Sequence, residues 1–260
     1  MEITIEKLLE GKSTVIKDKE YLATAEYVTP FLEVMNNFTK DFYCKVEMPK
    51  QLTVTDKKQD ITYNRVWLQA VMPSKCDING LAETFNLVYG LDVRQPVYKI
   101  FKAYKDRKSE NLYCFDSRWL NVYELKPGEK FIDFEPIIVN LLKMVDDSNI
   151  RLKKMNTEFF SSDIEERHTV LGDLIEKSML YEFYGKGGKV KLSPPLILKA
   201  FQNVYMNSSS KYYVKDTEEC SLFAYADAIL TLITDEEDII NPFEKAYLCL
   251  QLFDNGELIK

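Results

Sequence analysis

Between Arg94 and Lys108 the chain gathers residue types that together handle polyanions. Arg94, Lys99, Lys102, Lys105, Arg107 and Lys108 fall in fifteen positions with a single acid, Asp106, among them. Tyr98, Phe101 and Tyr104 are interleaved. Cations neutralise phosphates while aromatic faces stack on unpaired bases, so this set suits single-stranded nucleic acid without strong sequence preference. The same letters admit a plainer reading. Val97, Ile100, Phe101 and Tyr104 also fit a helical i, i+3, i+4, i+7 stripe with a solvated lysine face. β-branched and aromatic enrichment, with a similar run at Asn111–Phe115 just beyond, favours a hairpin over that helix. Even a basic hairpin is often only a solvated tip.

Other constellations carry less. Asp116 followed by Glu124-Leu125-Lys126 loosely matches nucleases that hold magnesium with carboxylates and support the attacking water with lysine. The pattern is short and common by chance. His168, the one histidine, sits in Glu165-Glu166-Arg167-His168-Thr169 with no nucleophile elbow nearby. Gly185-Lys186-Gly187-Gly188-Lys189 lacks the upstream glycine and the Ser/Thr of a Walker A loop. It reads as a helix C-cap and flexible connector, with a lysine-assisted anion nest as the minor alternative. Asp235-Glu236-Glu237-Asp238 reads as a solvated loop. Cys44, Cys76, Cys114, Cys220 and Cys249 are odd in number, far apart and free of CxxC pairs, so reduced and mostly buried thiols are expected. No catalytic residue, metal-ligand set or cofactor motif is assigned.

The elements that must position these residues fall into two regions, 1–130 and 131–260, expected to pack as one compact unit. Forty-one acids against 34 bases give −7, so the average surface repels nucleic acid and anionic lipid and any polyanion site must be local. Nine glycines in 260 leave little room for phosphate-cradling loops. No uncharged apolar run approaches the roughly 18–20 residues of a membrane span. Met1–Lys7 has no apolar signal core, and a cytoplasmic location is expected, the host cytoplasm for a phage-encoded chain.

Apolar spacing predicts short N-terminal helices, with Pro30 in the first turn of the second. Strand-like runs follow at 42–48, 61–72, 85–93, 97–104 and 111–115, at separations too short for βαβ crossovers. The second half reads as helical. Ser162-Asp163-Ile164-Glu165 is a capping box, and Ser193-Pro194 and Asn241-Pro242 are N-cap pairs. Leu196, Ile197, Ala200, Phe201 and Val204 share one helical face. Leu222, Ala226, Ile229, Leu230 and Ile233 share another, and Phe243, Ala246, Tyr247 and Leu250 a third. The fold class is α+β: short N-terminal helices, an antiparallel sheet in the first half and a helical second half.

Three stretches carry a resemblance: Arg65-Val66-Trp67-Leu68-Gln69-Ala70, Tyr89-Gly90-Leu91-Asp92-Val93-Arg94-Gln95-Pro96-Val97 and Asn111-Leu112-Tyr113-Cys114-Phe115. With Asp238-Ile239-Ile240-Asn241-Pro242-Phe243 near the end, they resemble a phage/plasmid-like family without an agreed activity, in the versions carried by crAss-like gut phages. The family's Cys-Asn-Leu-like segment is reordered here, because Cys114 follows Asn111-Leu112. The resemblance implies a strand-rich core before a helical C-terminal region, and a mobile-element context near replication and recombination genes. It carries over no catalytic residue. Together these readings point to a non-enzymatic single-strand binder or annealing factor. The alternatives are a phage factor that binds and redirects a host protein through tyrosine- and phenylalanine-rich surface, and a metal-dependent nuclease.

Overall fold

The computed structural model describes residues 2–10, 14–16, 19–21, 24–47, 65–73, 80–90, 97–106, 109–124, 132–144, 147–157, 182–185, 188–191, 194–213, 222–236 and 241–253. The architecture is α+β, with a six-stranded antiparallel sheet in the first half and helices in the second. The chain opens with α1 (Ile5–Leu9), a small hairpin of β1 (Thr14–Ile16) and β2 (Lys19–Tyr21), and α2 (Thr24–Met35). The sheet is built from β3 (Asp41–Glu47), β4 (Arg65–Val71), β5 (Leu81–Gly90), β6 (Val97–Asp106), β7 (Leu112–Tyr113) and β8 (Leu120–Glu124). Its order is β3-β4-β5-β6-β7, with β8 also pairing β6. After it come α3 (Phe134–Lys143), α4 (Ser148–Thr157), the hairpin β9 (Glu182–Gly185) and β10 (Gly188–Lys191), and α5 (Pro194–Phe201), which runs on as a π-helical turn over Gln202–Met206. Helices α6 (Leu222–Glu236) and α7 (Pro242–Phe253) are the last of the described elements. Among the described residues no helix is long and apolar enough to cross a membrane.

Two compact units interleave along the sequence instead of meeting at one boundary near residue 130. The first comprises 1–74, 82–103 and 118–145; the second comprises 75–81, 104–117 and 146–260. Strand β6 contributes to both.

In the first unit, five rings from four elements form one cluster. Tyr89 of β5 stacks on Tyr27 of α2 at 5.0 Å and on Tyr98 of β6 at 4.5 Å. Phe134 of α3 meets Tyr98 and Phe31 edge-on at 5.6 and 5.7 Å. Offset and T-shaped contacts of this kind add to the burial of large rings. Their positions follow from strand alternation: Leu87 and Phe85 lie on the same sheet face as Tyr89, and Ile100 on that of Tyr98. All are fully buried. Alternate residues of β5 carry a polar ladder instead. Gln69 Nε2 donates to Asn86 Oδ1 at 2.6 Å, Asn86 Nδ2 to Thr84 Oγ1 at 3.0 Å, and Thr84 Oγ1 to the Ala103 carbonyl at 3.0 Å. These buried bonds tie β4, β5 and β6 in register, since a one-residue slip would leave each donor unpaired.

Two expectations are corrected here. Pro30 lies inside a single twelve-residue α2, not at the start of a second helix. It has no N–H to offer the Glu26 carbonyl, a cost of about 3 kcal/mol in a helix interior. Burial of Tyr27, Val28, Phe31, Leu32 and Met35 on both sides of it holds the helix continuous. The glycine cluster, read as a cap and connector, instead joins two strands, with Gly185 opposite Gly188 and Lys191 opposite Glu182. A two-residue connection between antiparallel strands is a hairpin, for which glycine-rich sequence is equally suited.

The Asn241-Pro242 cap holds, whereas Ser193 lies outside the described residues. Helix α5 begins at Pro194, and the Phe243 N–H donates to Asn241 Oδ1 at 2.9 Å at the start of α7. The Ser162–Glu165 box and His168 lie outside the described residues, as do Cys76 and Cys220. Cys44, Cys114 and Cys249 are free and buried.

Candidate functional site: a cleft beside the sheet edge

The basic-aromatic segment is a strand, but not a surface one. Tyr98, Ile100, Phe101 and Ala103 are fully buried and Tyr104 nearly so. Their ring faces are packed against protein and offer no platform for a base, which corrects the expectation that Tyr98, Phe101 and Tyr104 stack on nucleic acid. Lys102 is corrected with them. Its ammonium lies 2.8 Å from Glu83 Oε1, both side chains almost wholly buried, and 4.6 Å above the Trp119 ring. Lys99 and Lys105 are half-buried, and Lys105 faces Glu110 at 3.9 Å across the β6–β7 turn. Arg94, Arg107 and Lys108 lie outside the described residues. The helical alternative fails for a simple reason: a strand buried on both faces loses its period-two signature, so apolar residues fall at helical spacing by coincidence.

The nuclease constellation is likewise not assembled among the described residues. Asp116 is half-exposed just after β7, with its carbonyl accepting from Cys114 Sγ at 3.4 Å. The Glu124 side chain and Lys126 lie outside the described residues. No three His, Cys, Asp or Glu side chains gather as a metal group among those described.

A polar cluster that sequence reasoning missed lies in the second unit. Asp227 Oδ1 on α6 accepts from Ser109 Oγ at 2.6 Å, Asn111 Nδ2 at 2.8 Å and Tyr113 OH at 2.5 Å. Asn111 Nδ2 also reaches Thr231 Oγ1 at 2.8 Å. Burial first, then the Asp227 charge and hydrogen bond, hold the Tyr113 phenol well above its ordinary pKa. The oxygen that would take a proton from Ser109 already accepts from two other donors. The arrangement therefore works as a latch between the β6–β7 turn and α6, not as a nucleophile with its base. The signal for it was the alternation Ser109, Asn111, Tyr113, which puts three donors on one side of an extended segment.

Among the described residues of the first unit, a cleft of about 810 Å³ opens where α1, α2 and the edge strand β3 diverge. Its geometry begins with two residues. Glu2 pairs antiparallel with Lys45, and the Ile3 N–H donates to the Cys44 carbonyl at 3.2 Å, so the N-terminal segment covers the far end of β3. Thr4 then caps α1, its hydroxyl accepting from the Lys7 N–H at 3.3 Å, and the chain swings away from the strand. What it leaves is a space lined by Ile5, Glu6 and Leu9 from α1, Leu32, Glu33 and Asn36 from α2, and Phe42 from β3.

Three acids, Glu2, Glu6 and Glu33, border the cleft against one lysine, Lys40. Tyr43 OH donates to Glu2 Oε1, and Lys45 approaches the same carboxylate at 3.8 Å. Lys40 Nζ donates to the Asn36 carbonyl at 2.8 Å and to Asn36 Oδ1 at 3.2 Å, closing the end of α2. Hydrogen bonds from its own backbone and from Thr4 hold the exposed Glu6 carboxyl below its ordinary pKa. Beneath the cleft, burial pushes the Cys44 thiol up to about 12, so it stays protonated and unreactive at neutral pH.

No protein-family model, no curated protein and no solved structure matches this chain.

Proposed function

We propose that this chain is a non-enzymatic binding factor whose partner is a protein, engaged at the cleft beside β3. One observation carries the reading. The rings that would recognise unpaired bases are in the core, whereas the open recess is apolar at its base and acidic at its rim. An acidic rim repels phosphates and favours cationic protein surface. The net charge of −7 acts in the same direction. With the resemblance to phage and plasmid proteins, the partner class is a host-cell protein whose activity is blocked or redirected. Single-stranded nucleic acid is the competing partner, held by cations alone.

Photo-crosslinking decides between them. A photoreactive side chain at Asn36, on the cleft wall, is expected to give a protein adduct of defined mass in cells making the full chain. The same group at Arg118, exposed and away from the cleft lining, is expected to give none. Nucleic-acid adducts, together with a salt-dependent gel shift on single-stranded DNA, would overturn the reading and restore the annealing role. Absence of any adduct at Asn36 would remove the cleft as the contact.

A further inference from the structure

Resting on that reading, we infer that the cleft takes an extended, alternately apolar and basic peptide segment, which adds as a short strand along β3 at Phe42. The backbone comes first. In an antiparallel strand both polar groups of a residue point to the same side, and the side alternates along the chain. Because the Cys44 carbonyl is turned away from β4 to meet Ile3, Phe42, two positions earlier, presents its N–H and carbonyl in that outward direction too. The Glu2–Ile3 segment is itself a two-residue strand addition to this edge, and α1 removes the chain from it just where Phe42 comes into reach. An incoming segment continues the line that Ile3 leaves.

Side chains give the chemistry of the occupant. Alternate residues of an added strand face opposite ways. Those facing the cleft meet Ile5, Leu9, Leu32 and the Phe42 ring, and so are apolar. Those facing the rim meet Glu6 and Glu33, both exposed, on opposite walls. Glu33 has no hydrogen bond or ion pair among the described residues, and the lysine that would compensate it is held by Asn36. Basic residues at those positions complete the charge.

The probe is a fluorescein-labelled heptapeptide of alternating lysine and valine, blocked at both ends, titrated against the full chain by fluorescence anisotropy at low salt. Binding is expected, and N-methylation along one edge of the peptide is expected to weaken it about tenfold, the worth of roughly one net hydrogen bond. N-methylation along the other edge leaves it unchanged. Phe42→Pro, which removes only an outward N–H and is tolerated on an edge strand, is expected to lose about tenfold. Phe42→Val, which keeps that donor, stays within a few-fold, separating the ring from the backbone. Glu33→Gln weakens binding and flattens its salt dependence. No binding by the wild type, or equal binding by both N-methylated peptides and by Phe42→Pro, would overturn strand addition. A Phe42-dependent dimer without peptide binding would assign the edge to a second copy of the chain. In either case the Asn36 adduct reports separately on whether a protein is bound there at all.

Discussion

Lys102 illustrates what one side chain does when its partners are inside the fold. A lysine that meets both a carboxylate and an indole face with almost no water has its charge matched locally, at a desolvation cost that the pair repays only while both members remain. Lys102→Ala is therefore expected to cost about 3–5 kcal/mol in urea unfolding, whereas Lys102→Met combined with Glu83→Leu recovers most of it. Cys44 supplies a second test at this scale. Its thiol is neutral when protonated, ionises near 8.5 in the unfolded chain, and ionises only at about 12 when buried. Stability should thus be flat below about pH 8 and fall above it, by up to about 1.4 kcal/mol per pH unit. Cys44→Ala should make that descent shallower by this thiol's share, the buried Cys114 and Cys249 remaining, and from about pH 10 the buried phenols of Tyr98 and Tyr113, also raised by burial, add a second one. Denaturant midpoints from pH 6 to 11 give both limbs.

Between elements, the Asp227 latch and the proline within α2 make opposite predictions. Asp227→Ala leaves Ser109, Asn111 and Tyr113 without their shared acceptor, and is expected to cost about 2–4 kcal/mol and to raise amide exchange at 109–113. Pro30→Ala restores an N–H to the helix and should stabilise by about 1–2 kcal/mol, less than the full interior penalty because the unfolded chain also gains freedom. The order of elements was legible wherever spacing or capping decided it. Strand runs a hairpin apart gave an antiparallel sheet, and Asn241-Pro242 gave the start of α7. Legibility failed where a residue type serves two structures. Glycine at 185 and 188 suits a helix end or a hairpin, and Val97–Tyr104 is apolar on both faces, so neither periodicity could win. Strand β8, five residues between a 3₁₀ turn and a proline, carried too little pattern to register. The cleft was invisible for another reason. Its walls come from residues 2–9, 29–36 and 40–44, segments that the pairing of Glu2 and Ile3 with Lys45 and Cys44 helps to bring together.

For the molecule as a whole, the interleaving of units sets what can be separated. The natural cut by sequence pattern, near residue 130, severs 104–117 from the helices that complete its unit. Tyr113, Phe115 and Asn111, all buried, would then face water. A fragment of residues 1–130 is expected to be insoluble alone and to be rescued by co-expression with 131–260, with soluble yield as the measure. The same threading bears on inheritance. Each unit is written in three separate passages of the gene, alternating with those of the other, so no single crossover can lend, lose or duplicate either. Such a chain can change by point substitution or pass on entire, and the strands divided between the units, β6 above all, are where a recombinant would break first.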